Sequence, residues 1–115
     1  SAGCKSRPGD PGVADTYNLV LVDGHAIPYA PMHEGQRVPE VVSGSLTLNG
    51  NGTFVSSMSY AKPAGGTFSR DFKGTYTQKG AEYILKWEGA GKTSVTIEGN
   101  TLTMNNEGMP FVYEK

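Results

Sequence analysis

The chain has few of the residues on which disulfide-bonded, metal-binding or phosphate-binding proteins depend. Its 115 residues include one cysteine, two histidines and one tryptophan, and 10 basic side chains face 11 acidic ones, for a net charge of -1. One cysteine excludes an internal disulfide, and the lack of a basic excess argues against binding to nucleic acid or to an anionic membrane surface. No run of about 18 apolar residues is present, so no membrane-spanning helix is predicted.

What the sequence has in abundance is turn-forming residues. It contains 16 glycines and 7 prolines, about a fifth of the chain and close to twice the usual share. Six tyrosines and four phenylalanines supply much of the large apolar surface. The length allows one compact domain, since domains commonly have about 100 to 200 residues. This composition is typical of a turn-rich β domain.

Short runs rich in threonine, valine and aromatic residues alternate with turn sequences at intervals of about 8 to 12 residues, as in a barrel or a sandwich. Eight strands are predicted, at Thr16–Val22, Val41–Leu48, Thr53–Ala61, Thr67–Gln78, Ala81–Glu88, Lys92–Glu98, Thr101–Asn105 and Met109–Glu114. Most of the connections are short and rich in glycine or asparagine, which favours hairpins between successive strands. No window has apolar residues at helical spacing over three turns, so long helices are excluded.

Apolar and polar residues alternate within the predicted strands. Phe54, Met58 and Tyr60 share one face of the third strand, and the later strands repeat this pattern, so each strand has one apolar face. Eight strands in sequential order bury these faces most simply by closing into an antiparallel up-and-down barrel, which also removes the exposed sheet edges. A two-sheet β-sandwich is the alternative.

The N-terminal residues suggest where in the cell the protein is located. Ser1-Ala2-Gly3-Cys4 resembles the end of a bacterial lipobox, in which small residues precede a cysteine that becomes acylated. Ser1 stands where leucine is usual, and the hydrophobic signal segment would lie before it. Residues 5–15 contain two Pro-Gly units and read as a flexible tether. The predicted organisation is a lipobox remnant and tether over 1–15 and a barrel over 16–115.

This reading places the protein in the bacterial cell envelope, held at the membrane only by a lipid on Cys4, or secreted. The alternative is that residues 1–3 are unrelated to a lipobox and that Cys4 is an incidental thiol.

Several segments resemble small bacterial lipocalin-like proteins. They are Tyr17–Gly24 followed by Ile27-Pro28, Ser43–Phe54, Gly74-Thr75-Tyr76, Gly99–Thr103 and Phe111-Val112-Tyr113. The resemblance covers about Tyr17 to Lys115 and implies an eight-stranded calycin-type barrel, often secreted or lipid-anchored and commonly of unassigned function. The Gly-x-Trp motif of lipocalins is absent, because Tyr17 stands where the tryptophan is expected. The resemblance therefore implies no particular ligand.

The fourth predicted strand carries an arginine between aromatic residues. Phe68, Arg70 and Phe72 occupy alternate positions, which places Arg70 on the face predicted to be buried. A buried guanidinium needs a partner, and one interpretation is that it binds the anionic group of an apolar or amphipathic small molecule. Alternatively, Arg70 stacks on an aromatic ring, or a bulge at Gly74 turns it to solvent. The candidate ligand-binding residues are Arg70, Tyr60, Tyr76, Tyr83, Trp87 and Tyr113.

The connection from Asp23 to Glu40 is much longer than the others. Ile27, Tyr29 and Met32 are predicted to fold over one mouth of the barrel as a lid, because long loops in compact domains are often functional. The alternative is a plug that completes the core.

Catalytic and metal-binding constellations are not recognisable. His25, His33 and Glu34 have no known ligand spacing, and Cys4 is assigned to lipidation, which leaves no Cys-His pair. No serine lies in a Gly-x-Ser-x-Gly elbow, and Gly65-Gly66 lacks the following lysine of a phosphate-binding loop. The sequence predicts a non-enzymatic, ligand-binding barrel without a cofactor. A protein-binding envelope module or inhibitor with a filled core, acting through its loop rim, is the alternative.

The lipobox reading predicts incorporation of radioactive palmitate when the tagged full-length protein is made in a bacterial host. The label should disappear in Cys4→Ser, because the thiol is the acylated atom. An unlabelled wild-type protein, in a culture whose endogenous lipoproteins are labelled, contradicts the reading.

Overall fold

A computed structural model of the protein describes residues 14–33, 36–37, 39–106 and 108–115. These residues form eleven β-strands and no helix. The strands are β1 (Ala14–Val22), β2 (His25–Ala26), β3 (Met32–His33), β4 (Gln36–Arg37), β5 (Val41–Asn49), β6 (Thr53–Ala61), β7 (Thr67–Lys79), β8 (Glu82–Trp87), β9 (Lys92–Glu98), β10 (Thr101–Asn106) and β11 (Met109–Glu114). The predicted all-β class is confirmed.

Eight of these strands close into an antiparallel barrel. From β5 to β11 each strand pairs with the next in sequence, β1 pairs with β5, and β11 returns to β1. Among the described strands, the short strand β2 is a ninth strand of the same sheet and pairs only with the end of β1. The predicted eight-stranded up-and-down barrel is confirmed, and the two-sheet sandwich is not formed.

The eight predicted strands agree with the barrel strands to within two residues. β1 begins at Ala14 rather than Thr16, because Asp15 already pairs with Leu48 on β5 and is buried. The predicted tether, residues 5–15, therefore overlaps the start of β1 by two residues. Cys4 and most of the tether lie outside the described residues.

The connection after β1 contains short strands that the sequence did not predict. A turn at Asp23 and Gly24, both with positive φ, leads into β2 against β1, and β3 pairs with β4. Strands of two residues are shorter than any window in which alternation can be recognised.

The apolar face of each barrel strand points inward, as the alternation predicts. Direct register partners share this face, for example Leu48 opposite Phe54 and Leu102 opposite Tyr113. The buried apolar residues are Tyr17, Leu19, Val22, Val41, Leu46, Leu48, Phe54, Met58, Tyr76, Tyr83, Leu85, Val95, Leu102, Met104 and Tyr113. Removing these side chains from water is the main stabilising contribution to the fold.

β7 is the longest strand, and only part of it has neighbours on both sides. Gly74 to Lys79 pair with β8, whereas residues 67–73 pair in the strand register only with β6. The last bond on the β8 side runs from the Glu88 N–H to the Lys73 carbonyl oxygen, at 2.9 Å. The β6–β7 hairpin therefore projects beyond β8 and leaves the barrel open on that side.

Gly74 marks the point where β6, β7 and β8 come together. The registers on both sides of β7 run through it without a shift, so the alternative of a bulge at Gly74 is wrong. A Cβ atom here would overlap the Lys86 carbonyl oxygen and lie 2.8 Å from Cε1 of Phe54. The glycine allows β8 and the Phe54 ring to approach the strand closely.

We expect Gly74→Ala to lower the free energy of unfolding by about 3 kcal/mol or more, at or above the upper end of the cost of overpacking. The added methyl group meets backbone, which can move only by separating β7 from β8. Gly44→Ala is the matched control, because its Cβ would meet chiefly the flexible end of Met58, 2.6 Å from Sδ. Urea unfolding compares the two variants, and equal losses would contradict this account.

Candidate functional site

The barrel contains a cavity that opens beside the projecting β6–β7 hairpin. Its volume is about 900 Å³, within the range of about 300 to 1,000 Å³ that ligand sites occupy. Residues of the barrel strands form its floor and walls, and Pro31 and Pro39 of the long connection border it.

The floor of the cavity is apolar. Met58, Met104 and Tyr113 are buried and come from three different strands, and Phe111 adds a half-buried ring. Ser56 is the buried polar side chain that borders the same space. Unbranched methionine side chains adapt to irregular apolar shapes, so this floor suits a flexible hydrocarbon group.

Trp87 forms one wall and is held in place by neighbours. Its indole N–H donates to Oγ1 of Thr93 at 2.7 Å. Its ring meets Phe54 edge-on at 4.9 Å and Phe72 at 6.3 Å between centroids. Phe72 is 46% exposed, because the segment of β7 that carries it extends past β8. These contacts hold the Trp87 ring in place between the core and the open mouth of the cavity.

Arg70 lies at the mouth of the cavity and not in its depth. It is directly opposite Met58 on β6, so it is on the inward face, as predicted. The prediction that it is buried is wrong, because it is exposed to solvent on the projecting part of β7. Its guanidinium lies 5.8 Å from the centroid of the Phe68 ring, which stacks on Tyr60 at 5.2 Å.

The mouth carries an excess of cationic side chains. Lys73 and Lys92 border it together with Arg70, and Glu88 is the acidic residue among its lining. Sequence reasoning missed both lysines, because alternation places Lys73 on the polar face of its predicted strand and Lys92 is the first residue of another. An anionic group is favoured at this mouth over a cationic one.

The structure separates two predicted site residues from the cavity. Tyr76 and Tyr83 are buried with their rings 5.9 Å apart, and the Tyr76 hydroxyl donates to the Asn49 carbonyl oxygen at 2.6 Å. Asn49 ends β5 at the turn into β6, the opposite end of β6 from the projecting hairpin. Of the predicted set, Tyr60, Arg70, Trp87 and Tyr113 line the cavity, whereas Tyr76 and Tyr83 do not.

The closed end of the barrel also holds a buried carboxylate. Asp15 places Oδ1 3.3 Å from the Lys115 ammonium group, and its other oxygen has no hydrogen-bond partner among the described residues. The same ammonium group lies 5.7 Å from the centroid of Tyr17. Burial first, and then the charge of Asp15, raises the pKa of Tyr17 to about 12.

Burial also controls the protonation of two further phenols. It raises the pKa of Tyr83 and of Tyr113 above the ordinary tyrosine value, because an apolar surrounding disfavours the charged phenolate. Tyr113, on the cavity floor, is therefore a neutral hydroxyl that can donate a hydrogen bond to a ligand.

The predicted lid residues do not line the cavity. Ile27 and Tyr29 are half-buried and pack against the core, and Tyr29 exchanges two backbone hydrogen bonds with Val41, at 2.8 and 3.0 Å. His25 stacks on the Tyr29 ring at 4.2 Å, while Met32 is 54% exposed. The connection reaches the mouth through Pro31 and Pro39 instead.

Within the part of the chain that the structure describes, no group of three histidine, cysteine, aspartate or glutamate residues is placed to hold a metal ion. Cys4 and Glu34 of the sequence analysis lie outside the described residues. Those described residues likewise include no helix of the length and apolarity needed to cross a membrane.

The buried phenols predict a loss of stability at alkaline pH. Their pKa is raised on folding, so between about pH 10 and about pH 12 the unfolded state releases protons that the folded state retains. Stability is complete below about pH 10 and falls as the pH rises toward the folded pKa of Tyr17. Urea unfolding at about pH 7 and about pH 11 should show a smaller alkaline loss for Tyr17→Phe than for wild type. An equal alkaline loss of stability in Tyr17→Phe and wild type contradicts the assignment of this effect to Tyr17.

Comparison of the chain with protein-family models, with curated proteins and with solved structures finds no match. The site therefore has to be interpreted from its own geometry: an apolar cavity, closed at one end of the barrel and open at the other, with cationic side chains around its mouth.

Proposed function

We propose that the protein is a non-enzymatic barrel that binds a small amphipathic molecule, an apolar chain with an anionic head group. The observation that carries the proposal is the cavity of about 900 Å³, whose floor is apolar and whose mouth is bordered by Arg70, Lys73 and Lys92. The apolar part of the ligand would contact Met58 and Met104, and its anionic group would lie near Arg70.

The two ends of such a ligand contribute differently. Burial of an apolar chain contributes about 25 cal/mol for each Å² removed from water, so the floor supplies most of the affinity. Arg70 is exposed, and an exposed ion pair contributes about 1 kcal/mol or less. The cationic mouth therefore serves mainly to select an anionic head group and to speed association.

The proposed setting is the bacterial cell envelope, with the barrel tethered to a membrane by a lipid on Cys4. This part of the proposal is supported by the lipobox-like Ser1-Ala2-Gly3-Cys4. A tethered barrel would meet amphipathic molecules at the membrane surface, where they concentrate because their apolar chains are excluded from water.

Titration of Trp87 fluorescence tests the proposal, since the indole borders the cavity and is the only tryptophan. Probes are saturated fatty acids of increasing chain length and the alcohols with the same chains. We expect a saturable change whose affinity rises with chain length, by about 0.8 kcal/mol for each buried methylene group, and tighter binding of the acid than of the alcohol. An unchanged spectrum for every probe contradicts ligand binding in the cavity.

Two variants separate the head-group site from the apolar site. Arg70→Gln should weaken binding of the acid by about twofold to fivefold and leave the alcohol unchanged, because only a charge near the mouth is lost. Lys79→Gln is the matched control, an exposed cation at the other end of β7. Met104→Phe should weaken both probes by filling the floor with a larger ring, and it leaves Trp87 as the only tryptophan. If Lys79→Gln has the same effect as Arg70→Gln, the attraction is a general effect of net charge.

A barrel that binds none of the probes would favour the alternative function, a protein-binding module that acts through its rim.

A further inference from the structure

Within the described residues, the projecting part of β7 presents an unpaired strand edge. Residues 67–72 of β7 have β6 on one side, and no strand on the other. Closed barrels normally leave no such edge, and edges that remain in natural proteins are usually covered or blunted, because their free N–H and C=O groups attract further strands.

The hydrogen-bond pattern shows which backbone groups point to this edge. The Ala61 N–H donates to the backbone carbonyl oxygen of Glu40, on the side away from β7. Ala61 and Thr67, which lie opposite each other in the hairpin, therefore do not exchange backbone hydrogen bonds. Alternation then directs the N–H and C=O groups of Thr67, Ser69 and Asp71 toward the open side. The Lys73 carbonyl follows the same alternation and receives the Glu88 N–H, which confirms the direction.

The three residues whose backbone N–H and C=O groups are free, Thr67, Ser69 and Asp71, are evenly spaced about Ser69. An antiparallel strand of the same sequence, related by a twofold axis at Ser69, places Ser69 opposite Ser69 and Thr67 opposite Asp71. Each copy offers three donors and three acceptors in this register, so six hydrogen bonds form and none of these groups stays unpaired.

The side chains fit this register and not its neighbours. On the inward face Arg70 lies opposite Phe68 of the second copy, repeating between copies the arginine-ring contact that exists within one. Exposed Phe72 lies opposite Gly66, which has no side chain to obstruct it. A twofold axis at Arg70 or at Asp71 would instead oppose two like charges directly, which is destabilising.

We propose that this edge is a self-association site, at which two copies of the barrel pair antiparallel through residues 67–71 of β7. The β5, β6 and β7 strands of each copy then form one continuous six-stranded sheet across the twofold axis. The two cavity mouths, each bordered by Phe68, Arg70 and Phe72, come to lie beside this sheet.

Sedimentation measurements on the folded chain test the proposal. We expect a concentration-dependent doubling of mass, and Ser69→Pro should weaken it by about tenfold or more, because each copy loses a donor at the centre of the interface. The lost N–H makes no bond to β6, so the hairpin tolerates proline there as edge strands do. Ser69→Ala is the matched control: both variants lose the 2.8 Å hydroxyl contact with Ser59, but alanine keeps the N–H and should dimerise.

Cysteine cross-linking in a Cys4→Ser background tests the register without relying on proline. Opposed Cα atoms in a hydrogen-bonded antiparallel pair lie about 5.5 Å apart, within disulfide range. Ser69→Cys should therefore form a covalent dimer on oxidation. Asp71→Cys should not, because its two copies would be about 14 Å apart along the strands. A monomer at every concentration, or equal cross-linking at both positions, overturns the proposal; the monomer would leave this edge to a strand of another protein.

Discussion

The return of β11 to β1 is the constraint on which the rest of the structure depends. β1 serves two partners in succession, β5 through Ala14 to Asn18 and β11 through Asn18 to Val22, with a shift in register between Leu19 and Leu21. Such an irregularity bends a strand and increases its twist. The bend lets one strand complete the circle of eight, and closure gives every inward-facing side chain a common interior.

The interior that results is divided along the barrel axis by the sizes of its side chains. Near the β5–β6 turn, the buried side chains of Tyr17, Tyr76, Tyr83 and Asp15 fill the space. Toward the β6–β7 hairpin, methionines and single rings leave the cavity. An eight-stranded barrel is wide enough for either a filled core or one small ligand. In this protein the end near the β5–β6 turn is filled, and the end near the β6–β7 hairpin contains the cavity.

Unequal strand lengths account for both proposals. β7 has thirteen residues and β8 has six, so the part of β7 before Gly74 has a partner only on β6. The missing neighbour opens the cavity at the side, exposes Arg70 and Phe72, and leaves free backbone groups at Thr67, Ser69 and Asp71. Ligand access and self-association would therefore occupy adjacent surfaces of the same projecting hairpin.

The sequence by itself determined the strands, their apolar faces and the closed barrel, because alternation and turn residues are local signals and sequential hairpins leave few topologies. It also placed Arg70 on the inward face beside Phe68. Only the tertiary structure decided that Arg70 is exposed, that Tyr76 and Tyr83 are remote from the cavity, and that Pro31 and Pro39 border it. Those outcomes depend on how far each strand extends past its neighbour and on which side chains meet across the barrel axis. Both are relations between residues far apart in the sequence, so a local pattern of residues does not determine them.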